Sequence, residues 1–130
     1  MDWLNNNAIN LSQKSLDFLW QKQRVISENV ANGDTPGYKA KYVTFEDELR
    51  SNLSKFGNGQ FAKSSDIAKE IQNSKMMIHQ SDDESIRMDG NNVNVDVENV
   101  ELARTQLQYQ YMANQISDQF TRLRMVITGE

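Results

Sequence analysis

Two long segments without proline or glycine flank a middle that holds most of the residues able to break a helix. Residues 1–32 and 95–128 lack both types, whereas the only proline and five of the six glycines lie between 33 and 94. Because proline and glycine interrupt helices, this distribution permits two long helices separated by turns. The sequence predicts a mainly α chain with an N-terminal helical segment at 1–32, a loop-rich middle with limited β structure at 33–94, and a C-terminal helical segment at 95–130.

The helix boundaries follow from local stop and start signals. The first helix is predicted over 5–31, because Asn32-Gly33 offers a left-handed cap. The second is predicted over 97–128, with Asp96 as its N-cap and a hydrophobic staple between Val95 and Val100. In the middle, a short helix over 44–56, strands at 76–79 and 86–88, and a turn at 89–90 are predicted. Residues 55–85 otherwise match no recognisable pattern.

Each long helix carries apolar residues on two sides. At 100° per residue, each helix shows one broad apolar stripe and a narrower line opposite it, whereas a surface helix usually shows a single stripe. The heptad spacing predicts that the two helices pair as an antiparallel coiled coil, which uses one face of each. The narrow lines are predicted to be intersubunit faces, because few large apolar residues remain in the middle to cover them. Their members are Leu11, Phe18, Val25, Val100, Leu107, Tyr111 and Met125. The alternative is a folded-back bundle in which the middle covers both faces.

Composition excludes several classes of function. The chain has no cysteine and a single histidine, His79, which argues against thiol, histidine-based and cysteine-ligated metal sites, and no cofactor is expected. The longest apolar run is three residues, far short of the roughly 20 that a membrane span needs. No basic cluster suggests nucleic-acid binding, and the N-terminus lacks the apolar core of a cleaved signal. We therefore expect neither catalysis nor a membrane span.

One motif is more specific than any periodicity. The run Asn-Val-Ala-Asn-Gly-Asp-Thr-Pro-Gly-Tyr-Lys at 29–39 resembles the signature of bacterial flagellar rod and hook proteins, whose key positions would be Asn32, Thr35, Pro36, Gly37 and Tyr38. The run Asp-Gly-Asn-Asn-Val-Asn-Val-Asp-Val-Glu at 89–98 also resembles this family, in the segment that leads into its C-terminal helix. The short length and the tail at 105–110 are most similar to the proximal rod members.

The resemblance implies a structural role. Members of this family are non-enzymatic axial subunits whose terminal helices pair in the inner core of a hollow helical tube, and the rod transmits torque from motor to hook. The implied partners are further copies, other rod subunits, proteins joining the rod to the membrane ring, and the flagellar type III export gate. The implied location is the basal body, outside the cytoplasmic membrane, reached without a cleaved signal.

Two smaller features remain open at this stage. Phe45 and Leu49 match the short pattern that the export gate reads in such subunits, but on a helix they would share a face and could simply pack together. Pro36-Gly37 predicts a type II turn, after which Tyr38 either contacts another subunit or merely follows the redirected chain. Periodicity alone also fits a soluble helical-hairpin adaptor or export chaperone, and another flagellar axial subunit would share the same signature.

Overall fold

Three helices and a two-stranded sheet make up the described part of the chain. The computed structural model describes residues 7–45, 64–85 and 87–129. In chain order the elements are α1 (Asn7–Ala31), β1 (Lys41–Thr44), α2 (Ser64–Asn73), β2 (Met77–Gln80) and α3 (Val95–Thr128). At about 1.5 Å per residue, α1 is roughly 37 Å long and α3 roughly 51 Å. None of these helices combines the length and apolarity that a membrane crossing requires.

The two long helices pack side by side in opposite directions. Three polar contacts fix the direction, since residues ascending along α1 meet residues descending along α3. They are Ser12 Oγ to Gln119 Oε1 at 3.5 Å, Lys22 Nζ to Glu101 Oε2 at 3.4 Å, and Asn29 Nδ2 to Glu98 Oε2 at 3.2 Å. The predicted mainly α fold, with antiparallel pairing of the terminal helices, is confirmed.

Helix α1 ends at Ala31, as predicted, but without the predicted left-handed cap. Gly33 does not have a positive φ. Gly33 instead allows α1 and α3 to approach each other closely, because a Cβ added to it would lie 2.7 Å from Val95 Cγ2, at the start of α3. The absence of a side chain at Gly33 therefore lets the end of one long helix touch the beginning of the other.

Helix α3 begins two residues earlier than predicted. Its N-cap is Asn94, whose side-chain oxygen accepts a hydrogen bond from the backbone N–H of Val97 at 3.3 Å. Asp96 lies inside the first turn, so it is not the cap, and the predicted staple between Val95 and Val100 is misplaced. Asparagine caps helices as well as aspartate does, so composition alone could not separate the two positions.

Strands β1 and β2, which are separated in the chain by α2, form an antiparallel pair in which Tyr42 lies opposite His79 and Val43 opposite Ile78. The rings of Tyr42 and His79 stack with centroids 5.2 Å apart. The strand predicted at 76–79 is thus present, shifted by one residue. The strand predicted at 86–88 is wrong in its described part, because residues 87–89 form a bend and turn. Thr44 lies in β1 rather than in a helix, and the rest of the helix predicted over 44–56 lies outside the described residues beyond Phe45.

A small core forms where β1 crosses α1. Phe18 and Phe45 stack with ring centroids 5.4 Å apart, next to buried Leu19, with Val43 and Met112 packed around them. Val25 is also buried. The prediction that Phe18 and Val25 lie on an outward face of α1 is therefore wrong, because the residues that follow the signature fold back over that side.

The seam of α3 that faces α1 also differs from the predicted one. Tyr109 and Phe120, which the helical spacing places on the broad apolar stripe of this helix, are exposed, and Thr105 is fully buried. The buried or half-buried positions include Glu98, Leu102, Thr105, Met112, Ile116, Gln119 and Leu123, again at spacings of three, four and seven. Because polar residues occupy part of this seam, more of the apolar residues of α3 are left on its outer side.

Helix α2 was missed at the sequence level. It packs against α1 and buries Ala68 and Ile71. The signal was present but short: Ile67, Ala68 and Ile71 have helical spacing and Asp66 lies in the first turn. Ten residues with three apolar positions fall below what periodicity can separate from a loop.

Candidate functional site

The signature residues form a tight turn directly after α1. The backbone N–H of Tyr38 donates to the carbonyl of Thr35 at 3.2 Å, and Gly37 has a φ of 71°. Proline at the second and glycine at the third position is the arrangement that a type II turn requires. Gly37 is one of the positions where only glycine fits without strain.

A second turn, formed by residues 87–90, lies against the first. The N–H of Gly90 donates to the carbonyl of Arg87 at 3.1 Å, and the N–H of Gly37 donates to the carbonyl of Asp89 at 2.7 Å. A Cβ on Gly90 would lie 3.6 Å from the Cα of Gly37. The two motifs that carry the family resemblance, separated by about fifty residues in sequence, are thus in direct backbone contact.

Asn91 holds these two segments together. Its side chain is 1% exposed. The Nδ2 group donates to the carbonyls of Asn32, Gly33 and Thr35 at 2.8, 3.1 and 2.9 Å, while Oδ1 accepts from the N–H of Val93 at 2.8 Å. One amide therefore adds a donor to three carbonyls after the end of α1 and ties them to the segment before α3.

Asn29 plays a matching role on the other side of the turn. It is also 1% exposed. Its Nδ2 donates to the carbonyl of Lys41 at 2.7 Å, and its Oδ1 accepts from the N–H of Lys41 at 2.9 Å. The side-chain amide thus pairs with the backbone of β1 as a neighbouring strand would. We call Asn29, Asn91 and the two turns, 35–38 and 87–90, the asparagine clasp.

Charged side chains reinforce the clasp from outside. Arg87 donates from Nη1 to the carbonyl of Gly33 at 2.6 Å and from Nη2 to Asp89 Oδ2 at 3.0 Å. The Oδ1 atom of Asp34 lies 3.6 Å from the same Nη2. Asn92 accepts from the N–H of Ala40 at 2.7 Å. These contacts fix the path of the chain on both sides of the turn, so the role of the clasp is to hold the fold in place.

Two titratable groups lie beside Asn29. The hydroxyl of Tyr38 donates to Asn29 Oδ1 at 3.3 Å, and burial, followed by the charges of Glu28 and Glu98, raises the pKa of Tyr38. Burial also raises the pKa of Glu98, and the nearby charge of Glu101 adds to this. The hydrogen bond from Asn29 acts in the opposite direction on Glu98. The polar end of Tyr38 is therefore used within the chain.

The sequence-predicted site residues fall into separate places. Asn32, Thr35, Pro36, Gly37 and Tyr38 all belong to the clasp or its border. Phe45 is buried in the core against Phe18, and Leu49 lies outside the described residues. Leu11 is half-buried and lines the same groove as Phe18. The resemblance covered Asn29 and Asn91, but no role was given to them, because nothing local in a sequence shows which amides become buried.

Most of the remaining residues predicted to form intersubunit faces lie along one exposed side of α3. Val97, Val100, Leu107, Tyr111 and Met125 are each more than half exposed and recur along one side of the helix. We call these five residues the outer line. Further apolar side chains are exposed near the end of the same helix, namely Phe120, Val126 and Ile127. An apolar surface of this length is typical of an interface.

Comparisons with known proteins decide the family. Residues 19–39 match the family described as flagella basal body rod protein. The flagellar basal body rod protein FlgB of Bacillus subtilis is 38% identical over 112 residues, which cover 83% of this chain and 83% of that protein. The FlgB proteins of Borreliella burgdorferi and Buchnera aphidicola are 34% and 30% identical, over 92% and 95% of this chain and 95% and 96% of their own lengths.

The chain belongs to the FlgB family of flagellar basal body rod proteins. The resemblance to flagellar axial proteins, and to their proximal rod members, is confirmed. The matched residues 19–39 contain Asn29 and the turn at 35–38, so the family pattern coincides with the N-terminal half of the asparagine clasp. As a member of the FlgB family, the chain is a structural protein of the rod, and this family is not known for enzymatic activity.

Proposed function

We propose that this subunit builds the proximal rod by packing the outer line of α3 against neighbouring subunits of a hollow helical tube, which carries torque from motor to hook. The exposure of the outer line carries this proposal. Leu107, Tyr111 and Met125 are 69%, 63% and 54% exposed, although burying each such side chain would contribute about 1.5–3 kcal/mol. A subunit that functions inside an assembly accounts for this exposed apolar surface.

The proposed partners are further copies of the chain, other rod subunits and the proteins that join the rod to the membrane ring. The proposed role is structural and without catalysis. The division into an axial helix at 1–32, a middle at 33–94 and an axial helix at 95–130 belongs to the same proposal. The asparagine clasp supports it, because it locks the end of α1 to the start of α3 and so fixes how the two axial helices are presented together.

The proposed route is the flagellar type III export gate, without a cleaved signal, to a site outside the cytoplasmic membrane. Recognition through Phe45 and Leu49 is proposed for the unfolded chain only. Phe45 is 3% exposed in the folded subunit, so a gate could read it only before folding.

The test adds one negative charge to the outer line. We expect Leu107→Glu to leave the free energy of unfolding nearly unchanged, because Leu107 is exposed, and to remove the chain from purified basal bodies. Gln106→Glu is the matched control, since it adds the same charge about 100° around the helix. Quantitative mass spectrometry of hook–basal bodies gives the readout, as the ratio of this chain to other rod subunits.

Three results would contradict the proposal. Wild-type incorporation of Leu107→Glu would show that the outer line is not an assembly surface. Equal loss for Gln106→Glu would show that charge anywhere on α3 is harmful. If the wild-type chain stays in the cytosol and is absent from the particles, the role is that of an adaptor or export chaperone.

A further inference from the structure

The β1–β2 sheet has one edge that α1 covers and one, on β2, that no residue in the described ranges 7–45, 64–85 and 87–129 pairs with; we call the latter the open edge. The Asn29 amide occupies the outer edge of β1, because it bonds both the N–H and the carbonyl of Lys41. In an antiparallel pair, alternate residues direct their N–H and C=O groups toward the partner strand and away from it. The backbone N–H and C=O groups of Lys41 point away from β2, so those of Ala40, Tyr42 and Thr44 point toward it.

The register then fixes the orientation of β2. The N–H of Ser81 donates to the carbonyl of Ala40 at 2.7 Å, which places Ser81 among the residues directed toward β1. By alternation His79 and Met77 are also directed inward. Ile78 and Gln80 therefore present their backbone groups at the open edge. Among the described residues, no hydrogen-bond partner exists for the backbone groups of Ile78 or Gln80 that point away from β1.

The sequence of β2 lacks the residues that most often discourage strand pairing at an edge. Soluble proteins block exposed edges with charged residues, prolines or bulges. Met77–Gln80 contains none of these, and Met76, Met77 and Ile78 beside the edge are 36%, 50% and 49% exposed. A two-stranded sheet is also marginal in size, and a third strand would stabilise it.

Charges at the two ends of β2 narrow the choice of partner. Lys75 precedes the strand, and Asp82, Asp83 and Glu84, all exposed, follow it. A segment lying along the edge would meet a strongly acidic end, so it pairs best if it carries basic residues there. Apolar side chains at alternating positions would cover Met76 and Ile78.

We propose that the open edge of β2 receives an extended segment of a neighbouring rod subunit, at least four residues long, with alternating apolar side chains and a basic residue facing Asp82–Glu84. This inference rests on the proposed function, since it places the partner in the same assembly. It adds a backbone-mediated contact to the side-chain contacts of the outer line.

Residue-resolved hydrogen exchange tests the proposal on the full chain. The amides of Ile78 and Gln80 are expected to exchange rapidly in the soluble subunit and at least tenfold more slowly in purified basal bodies. The His79 amide is the internal control, because it is directed toward β1 in both states. Rapid exchange at Ile78 and Gln80 in basal bodies that contain the chain would overturn the edge proposal while leaving the proposed function intact.

Two other outcomes are equally decisive. Protection of both amides already in the soluble subunit would mean that the chain covers its own edge, and the partner strand would be rejected. Absence of the chain from basal bodies would overturn both the proposed function and this inference.

A proline variant supplies an independent measurement. Ile78→Pro removes the outward N–H but leaves the inward bonds of Met77 and His79 available. We expect it to lower incorporation into basal bodies at least tenfold while thermal unfolding of the soluble chain stays close to wild type. The control Ile78→Ala retains the N–H, so it should lower incorporation much less. Equal incorporation of the proline and alanine variants would overturn the proposal.

Discussion

At the scale of single residues, the buried side-chain amide of Asn91 makes hydrogen bonds to backbone groups that a helix or a sheet would otherwise make. It bonds three carbonyls just after α1 and one N–H just before α3. Each hydrogen bond of this kind contributes about 0.5–1.5 kcal/mol to stability. The turn at 35–38 is therefore joined to a residue more than fifty positions away.

Replacing Asn91 with aspartate tests this dependence. We expect Asn91→Asp to lower the free energy of unfolding by about 3 kcal/mol or more, because it removes the donor and buries a charge. Asn94→Asp is the matched control, since Asn94 is an exposed N-cap where aspartate serves equally well. Urea unfolding measures both. A similar loss for the two variants would contradict a special role for Asn91.

Gly33 is needed for a different reason, because the space beside it is too small for a side chain. Gly33→Ala is expected to lower the free energy of unfolding by about 1–3 kcal/mol, because its methyl would lie 2.7 Å from Val95 Cγ2. The double variant Gly33→Ala with Val95→Ala removes the clash and should recover most of that loss. If the double variant is no more stable than Gly33→Ala alone, contact with Val95 is not the reason for glycine.

At the scale of elements, the sequence predicted the two long helices well and their faces poorly. Periodicity and the absence of proline and glycine are local properties, so the end of α1 at Ala31 and the length of α3 could be predicted. The burial of Phe18 depends on Phe45, which folds back from the middle, and no local pattern contains that contact. For the same reason the clasp was recognised as a motif, whereas its hydrogen bonds could be read only from the structure.

Glu98 links the two long helices in a way that depends on pH. Its pKa is raised mainly by burial, so the folded state favours the protonated carboxyl. This contribution to stability is fully present below the ordinary pKa of 4.5 and is lost as the pH rises through the higher pKa of the folded state. We expect Glu98→Gln, which keeps an oxygen to accept from Asn29, to gain stability over the wild type as the pH rises toward 7.

Urea unfolding of both proteins between pH 4 and pH 7 measures this difference. The two free energies should lie closest at the acidic end and separate above it, with the variant more stable. A difference that stays constant across the range would show that burial of the Glu98 charge has no effect on folding.

At the scale of the whole molecule, the chain has a covered side and an uncovered side. Residues of the middle pack over α1, while the outer line of α3 stays exposed along much of its length. The free subunit should therefore bind an apolar fluorescent dye, and Val100→Ser with Leu107→Ser should reduce that fluorescence without shifting the unfolding midpoint. Titration of soluble subunit with dye gives the measurement. Unchanged fluorescence in the double variant would place the apolar surface elsewhere.

The clasp also determines when, during synthesis, the end of α1 can become joined to the start of α3. A ribosome releases residues 29–38 long before Asn91, so the carbonyls of Asn32, Gly33 and Thr35 lack the Asn91 amide until that later segment has emerged. A chain that stops short of this asparagine can still form the turn at 35–38, because the Tyr38 N–H donates to the Thr35 carbonyl, but it cannot join that turn to the segment before α3. The relative position of the two long helices is therefore fixed only after Asn91 and the start of α3 have been synthesised.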